Sequence, residues 1–296
     1  MINIQSKIRS LLVVLAIYLL AFVVVYFIFP FLKDYHSILS VFIADVVATI
    51  IVFSFSVIFK NSSIYDPYWS VIPPVIVVYL MNIYPEGNTI RQWIILALVL
   101  FWSLRLTLNW IRGWPGMGHQ DWRYTNIAKK TGAFYWPVSF LGIHLMPTIF
   151  VFLGCLPLWY SLSSPNALNF YDYVAIAFTL VAVFVEWIAD EQLINFKKSK
   201  QSKDYIDTGL WSISRHPNYL GEISFWTGMF LFVLSTGKIS DTIGFWTSIG
   251  FIFMIILFQF ISIPMMEKRN ITRKSGYKEY IQKVPALFPH PFKNTR

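Results

Sequence analysis

The densest concentration of groups able to do chemistry is the run Ser214-Arg215-His216-Pro217-Asn218-Tyr219-Leu220-Gly221-Glu222. Arg215 and His216 offer cationic donors for phosphate, Pro217 presets the first turn of a helix, and Asn218 offers amide hydrogen bonds. Gly221 permits close approach of a cofactor or of a neighbouring helix. A helix N-terminus with free N–H groups binds anions, and a purely structural cap needs only one or two of these residues. Upstream, Glu186 and Asp190 are four apart and share a helix face, and Lys197 continues near the same stripe. Carboxylates accept from ribose hydroxyls while Lys and Arg bind phosphates, so the stripe suits a nucleotide. It also describes a solvated helix end.

These residues must be carried by elements built for lipid. The 296-residue chain is 56% hydrophobic, 19% aromatic and only 13% charged, with a mean hydropathy of +0.56, too apolar for an ordinary soluble domain. A bilayer core needs about 20 apolar residues per helix. That length predicts spans at Leu11 to Leu32, Ile38 to Phe59, Trp69 to Tyr84, Ile90 to Trp110, Tyr135 to Tyr160, Tyr171 to Asp190, Tyr219 to Leu234 and Ile243 to Pro264. The third contains Pro73-Pro74 and is expected to be kinked, tilted or partly re-entrant. The first follows Lys7 and Arg9 but is too long for a signal peptide and lacks a small-residue cleavage site, so a retained helix is expected. The expected fold class is therefore an all-α, polytopic transmembrane bundle of about eight spans, and the expected partner is the lipid bilayer.

Positive charge orients such a bundle. It gathers at the N-terminus (Lys7, Arg9), after span 4 (Arg112, Arg123, Lys129, Lys130), after span 6 (Lys197, Lys198, Lys200, Lys203, Arg215) and in the tail from Lys268 to Lys283, whereas the opposite loops hold only Lys33 and Lys238. Both termini are expected on the cytosolic side, which requires an even number of crossings. The net charge of +9 lies in short segments between apolar spans and not on one soluble face, so no nucleic acid is expected. The single cysteine, Cys155, excludes an intramolecular disulfide and a thiolate metal cluster, and no metal is expected. One membrane domain, 1–296, is predicted, with two N-terminal spans in 1–60 and a core with its tail in 61–296. Ionisable residues inside spans cost roughly 2.5 to 3.5 kcal/mol each on insertion scales. Asp45, Arg105, His144, Glu186, Asp190 and Glu222 are therefore candidates for function, or else for interhelical pairing.

Several of these motifs carry a resemblance. Trp211, Arg215 to Tyr219, Gly221-Glu222 and Trp226, with Glu186, Asp190 and Gln192 before them, and Asp66-Pro67-Tyr68-Trp69, Arg105 and Asp121-Trp122-Arg123-Tyr124 further upstream, resemble the membrane-embedded steroid 5-alpha-reductase-like proteins, in particular their bacterial branch. The resemblance runs from about Tyr65 to Phe292. It implies an NADPH-dependent reductase of a carbon–carbon double bond conjugated to a carbonyl in a lipophilic substrate, with the cofactor in a cytosol-facing cavity. Carried over by motif position, the cofactor residues are Asp190, Lys197, Tyr205, Asn218, Tyr219 and Glu222, with Arg105 and Arg123 beside them. Tyr124 and Glu186 join these from the motifs around them, and the phosphate role of Arg215 and His216 is inferred from their chemistry. The Arg-His-Pro core, with Glu267, Tyr277, Tyr280, Pro285 and Pro289, is similar also to membrane methyltransferases of the isoprenylcysteine carboxyl type. That similarity implies S-adenosylmethionine as the alternative cofactor. A non-catalytic lipid-binding protein is the third class.

Reduction of an enone needs a donor for the developing enolate oxygen. In the steroid enzymes the donor is a Glu and Tyr pair. The resemblance puts Asp66 at the early acid and Trp102 at the position of the Tyr. Indole donates a hydrogen bond but transfers no proton, so Tyr68, with Asp66 hydrogen-bonded to its phenol, is expected to substitute. The alternative for Asp66 to Trp69 is an interfacial turn with aromatics at headgroup level. A hydrophobic small molecule such as a sterol, polyisoprenoid or fatty enone is the expected substrate. A bacterial plasma membrane is the expected location, or the endoplasmic reticulum if the chain is eukaryotic.

Overall fold

The structure, a computed structural model, describes residues 4–199, 204–237 and 242–288. Lys200, Lys203, Lys238, Pro289 and the end of the resemblance at Phe292 lie outside the described residues. Those described form helices and no strand, as lipid demands, because a helix satisfies its backbone polar groups internally. Among the described residues, seven helical segments are long and apolar enough to cross a membrane: Ser6–Phe31, Ser37–Ile58, Ser62–Ile83, Thr89–Gly113, Trp122–Ser163, Phe170–Lys198 and Trp246–Arg273. The protein is an integral membrane protein of helical class. The remaining expected span forms as a helix, Pro217–Ser235, that falls outside those seven. Asn218, Tyr219 and Glu222 make its first turns polar, and most of its residues are buried by protein.

We number the helices α1 (Ile4–Ile28), α2 (Ser37–Ile58), α3 (Tyr68–Ile83), α4 (Thr89–Gly113), α5 (Trp122–Thr131), α6 (Tyr135–Ser139), α7 (Met146–Ser163), α8 (Phe170–Lys198), α9 (Pro217–Ser235), α10 (Thr242–Phe245), α11 (Ile249–Ile256), α12 (Ile263–Arg273) and α13 (Tyr277–Lys283). Prolines shape several of them. α3 runs on through Pro73 and Pro74, and Ser70, one turn earlier, bonds the Pro67 carbonyl and Thr107. Wide π-helical turns at Phe140–Leu145 and Leu257–Ser262 end just before Pro147 and Pro264. A proline cannot donate the next i to i−4 bond, and the widened turn takes up the missing register. The second of these lets the last apolar span continue as α12, which carries Glu267 and Arg269 beyond the point where the sequence pattern ends at Pro264.

The chain divides into two compact units, one of Met1–Pro85 with Ile95–Trp159 and one of Glu86–Ile94 with Tyr160–Arg296. In the first, Val14, Ile17 and Ala21 of α1 pack with Ala48 and Val52 of α2, with Ile64, Tyr65 and Tyr68, and with Trp114. In the second, one end is tied by a fully buried ion pair. Arg91 at the start of α4 donates to both oxygens of Asp172 in the first turn of α8, at 2.7 and 3.0 Å, and to the Ser164 carbonyl. Asp172 also closes a capping box with Asn169, whose amide reaches the Ser235 carbonyl at the end of α9.

α8 and α9 pack closely because α9 is notched. A Cβ placed on Gly221 would lie 2.9 Å from the Ala182 carbonyl oxygen and 3.1 Å from the Glu186 nitrogen, and one on Gly228 would lie 3.3 Å from Thr179 Cα. Gly221 therefore serves a neighbouring helix. In an open helix interior Gly to Ala would gain about 1 kcal/mol of propensity. Here the obstructing atoms include backbone as well as the Glu186 and Thr179 side chains, and overpacking of this kind costs roughly 1–3 kcal/mol. Gly221→Ala is expected to lower the unfolding temperature in detergent micelles; an increase would mean that α8 and α9 are not in this contact.

Candidate active site

In the first unit the buried polar groups form two connected clusters. α2 contributes Asp45, and α3 begins with Tyr68. The Tyr68 hydroxyl donates to Asp45 Oδ1 at 2.7 Å, with the Asp45 carbonyl oxygen 3.2 Å away. Both residues are buried at about 5% exposure or less. Thr49, one turn along α2, meets Thr148 at 2.7 Å, and Thr148 meets the Tyr65 hydroxyl at 2.6 Å while donating to the His144 carbonyl. His144 lies in the first π-helical turn. Its Nδ1 faces the Ser139 carbonyl at 2.9 Å and so carries the proton, and its Nε2 faces Ser56 Oγ at 3.1 Å. The Tyr68, Tyr65 and His144 rings follow one another at centroid distances of 5.2 and 4.9 Å. Asp45 and His144, expected to serve either function or pairing, thus both have interhelical partners, and Asp45 is paired with a group able to transfer a proton.

Asp66 is placed differently from expectation. It takes a very short hydrogen bond from the Tyr124 hydroxyl, while Tyr68 turns to Asp45. The expected Asp66 to Tyr68 bond is not formed, because residues two apart at a helix start project about 200° apart and cannot share a partner. Asp121 caps α5 and also holds Arg123, whose Nε lies 2.8 Å from Asp121 Oδ1, and the Arg123 guanidinium sits 5.4 Å from the Tyr124 ring centre. Asp66, Arg123 and Tyr124 therefore form one cluster. Arg105 is half-buried and Trp102 fully buried on α4.

In the second unit the motif Ser214 to Glu222 folds as a clamp. Arg215 places Nε and Nη2 on Glu267 of α12 at 2.8 and 2.7 Å, and Nη1 on the carbonyls of Ile281, at 3.0 Å, and Val284. Its backbone N–H bonds the Pro285 carbonyl, and the His216 N–H and Ser214 hydroxyl bond that of Ala286. His216 stacks on Tyr219 at 5.2 Å with Nε2 3.3 Å from Glu267. Arg215 and His216, inferred from their chemistry as phosphate donors, are thus engaged within the protein. The guanidinium is buried and spent on fixing the segment after α13, and the imidazole is held by a ring and a carboxylate of the same clamp. Tyr280 joins in by donating to the Trp211 carbonyl at 2.5 Å, and Trp211 donates to the Ala189 carbonyl of α8.

The other expected residues of this unit separate into four places. Glu186 and Asp190 are buried on α8, with Glu186 against Gly221 of α9, and Glu222 accepts from Trp226 at 3.0 Å. Asn218 is half-buried in the first turn of α9, and among the described residues its amide makes no hydrogen bond. Tyr205 packs on Tyr277 and Tyr280 at 5.6 and 5.1 Å. Lys197 is exposed in the last turn of α8. Sequence reasoning missed Glu267 as the partner of Arg215, because it lies more than fifty residues away.

Residues 52–284 match the family described as "Protein of unknown function (DUF1295)". The chain belongs to the DUF1295 family. A relative of this DUF1295 chain in Schizosaccharomyces pombe, "Uncharacterized protein C594.04c", is 26% identical over 257 residues, covering 78% of this chain and 73% of its own length. No solved structure matches. The family match includes Asp66, Tyr68, Tyr124, the clamp and Glu267, and begins just after Asp45.

Proposed function

We propose that this DUF1295 protein is a membrane-embedded, NADPH-dependent reductase of an enone-type double bond in a lipophilic substrate, similar to the steroid 5-alpha-reductase-like proteins. The observation that carries the reading is the buried 2.7 Å hydrogen bond between Tyr68 and Asp45 inside apolar helices. A phenol with a carboxyl behind it is a proton donor that can be recharged, which the pair Asp66 and Tyr68 expected from the sequence would also have been. In this proposal protonated Asp45 becomes the donor to the Tyr68 oxygen, and the Tyr68 O–H, which donates to Asp45 without substrate, turns to the substrate carbonyl and stabilises the enolate oxygen as it forms. NADPH, when bound, supplies the hydride that goes to the β carbon. Tyr68 gives its proton to the enolate oxygen, protonated Asp45 returns one to the phenolate, and Asp45 regains its own from water; the enol then takes a proton from water at its α carbon and releases its O–H proton, so that one hydride and one proton are added across the double bond in all.

For the cofactor, the unengaged amide of Asn218 and the exposed ammonium of Lys197 support binding on the second unit, with Asp190 and Glu222 as acceptors for ribose or amide groups. Glu186, Tyr205 and Tyr219 of the second unit stay in the proposed set, whereas Arg105, Arg123 and Tyr124 are named by the resemblance alone. Arg215 and His216 leave it. The features shared with membrane methyltransferases, Arg215 and Glu267 above all, form the clamp and so do not favour S-adenosylmethionine. In this reading α9 crosses as the eighth span, both termini face the cytosol, and the membrane is a bacterial plasma membrane. The test is to incubate the purified protein with a panel of lipophilic enones and NADPH carrying deuterium at the transferable position. The expected product gains one deuterium at the β carbon; products without it would contradict hydride transfer.

A further inference from the structure

We propose that the indole N–H of Trp110 is a hydrogen-bond donor for a carbonyl oxygen of a lipophilic ligand, beside the cluster that holds Tyr68. Trp110 stands in the last turn of α4 and packs on that cluster, as do Tyr18 and Met117. One turn earlier, Thr107 meets Ser70 in the first turn of α3 at 2.9 Å. This end of α4 therefore lies against the end of α3 that begins with Tyr68. The Trp110 Nε1 atom is buried, and among the described residues it has no hydrogen-bond partner.

The buried indoles of Trp114, Trp159, Trp211 and Trp226 are treated differently. They donate to the His119 carbonyl, Ser37 Oγ, the Ala189 carbonyl and Glu222, at 3.0 to 3.2 Å. Trp110 stacks on Trp114 with 4.7 Å between ring centres and 21° between planes. An indole N–H lies in the plane of its own ring, so in this near-parallel pair it does not point into the Trp114 face, and that ring is no substitute acceptor. Buried polar groups in native proteins are nearly always paired, and a donor left without an acceptor costs stability. A ligand that brings the acceptor removes that cost. Indole donates one hydrogen bond and accepts none, which suits a carbonyl oxygen. The carbonyl can come from two sources. One is a ketone of the lipophilic substrate, and that arm rests on the reductase reading. The other is the ester of a bilayer lipid, which needs no such reading.

The experiment uses the full chain in nanodiscs of ether-linked phosphatidylcholine, which carries no ester carbonyl. The Trp110 indole N–H is followed by NMR, its signal assigned by its loss in Trp110→Phe. The probes are cholestenone, farnesylacetone and, in separate nanodiscs, ester-linked phosphatidylcholine, with the hydrocarbons cholestane and farnesane as blanks. The expected result is a downfield move of the signal, with stabilisation against heat, by at least one carbonyl probe and by neither hydrocarbon. A response to a ketone alone indicates a substrate carbonyl, and one to ester-linked lipid alone a bilayer carbonyl. Replacing the indole of Trp110 by benzothiophene keeps the bicyclic ring and puts sulfur in place of the N–H. That replacement is expected to weaken a responding ketone about tenfold, or to abolish the stability gained from ester-linked lipid. It is expected not to lower the unfolding temperature of the ligand-free protein. No movement with any probe, or responses unchanged in the benzothiophene variant, would overturn the site. Movement with a ketone but no oxidation of NADPH by any enone would keep the site and refute the reductase reading; NADPH oxidation with the signal unmoved would do the reverse.

Discussion

Tyr68→Phe is expected to reduce enone turnover by about 10²- to 10⁴-fold, the usual contribution of a positioned general acid, while NADPH binds as before. The substitution keeps the ring and its neighbours, Tyr18 at 5.8 Å and Tyr65 at 5.2 Å, and removes only the oxygen that bonds Asp45. Loss of that bond leaves a buried carboxyl partly unsatisfied, a cost of about 1–3 kcal/mol, so the variant is expected to fold with a lowered unfolding temperature. Asp45→Asn should leave the phenol bonded but unable to be recharged. It is expected to slow turnover and to flatten its pH dependence. By contrast, Asp66→Asn keeps an acceptor for Tyr124 and removes a carboxylate outside the Asp45 and Tyr68 pair, and is expected to spare the proton step. Turnover unchanged in Tyr68→Phe, or lost in Asp66→Asn alone, would remove the Asp45 and Tyr68 pair from the mechanism.

Arg91→Leu is expected to have the largest effect on stability, about 3–5 kcal/mol. Both partners of the Arg91 and Asp172 pair are fully buried, so the substitution strands a carboxylate in a low-dielectric interior. It also frees the Ser164 carbonyl that Arg91 Nη1 satisfies at 3.1 Å. Adding Asp172→Asn to the same chain is expected to recover much of the loss, because removing both members of a buried pair costs far less than removing one. The capping role with Asn169 survives in Asn, which still presents an oxygen to the helix start. Unfolding in mixed micelles measures both variants. A loss under 1 kcal/mol for Arg91→Leu, typical of exposed pairs, would show that the pair is solvated.

The helices were readable because lipid imposes a length and an apolarity that few residues can violate. Span ends were read less well. α8 runs eight residues past Asp190 and the last span nine past Pro264, to Lys198 and Arg273, since a helix leaving the bilayer needs no apolar pattern to persist. Pairings were harder still. Asp66 and Tyr68 look like partners in the sequence, but two residues at a helix start point apart, and the true partner of Tyr68 lies on another helix, 23 positions earlier. Arg215 and His216 likewise have the composition of a phosphate site, and only the position of Glu267 on α12 shows that their donors are engaged in holding the segment after α13. Gly221 was readable as a point of close approach; which object approaches it depends on the packing of α8, which the local pattern does not contain.

The most direct test of the central claim is a calorimetric titration of the detergent-purified protein with NADPH and, separately, with S-adenosylmethionine. The reductase reading predicts saturable binding of NADPH in the micromolar range, weakened by Asn218→Ala, and no heat from S-adenosylmethionine. Tight binding of S-adenosylmethionine with no response to NADPH would contradict it.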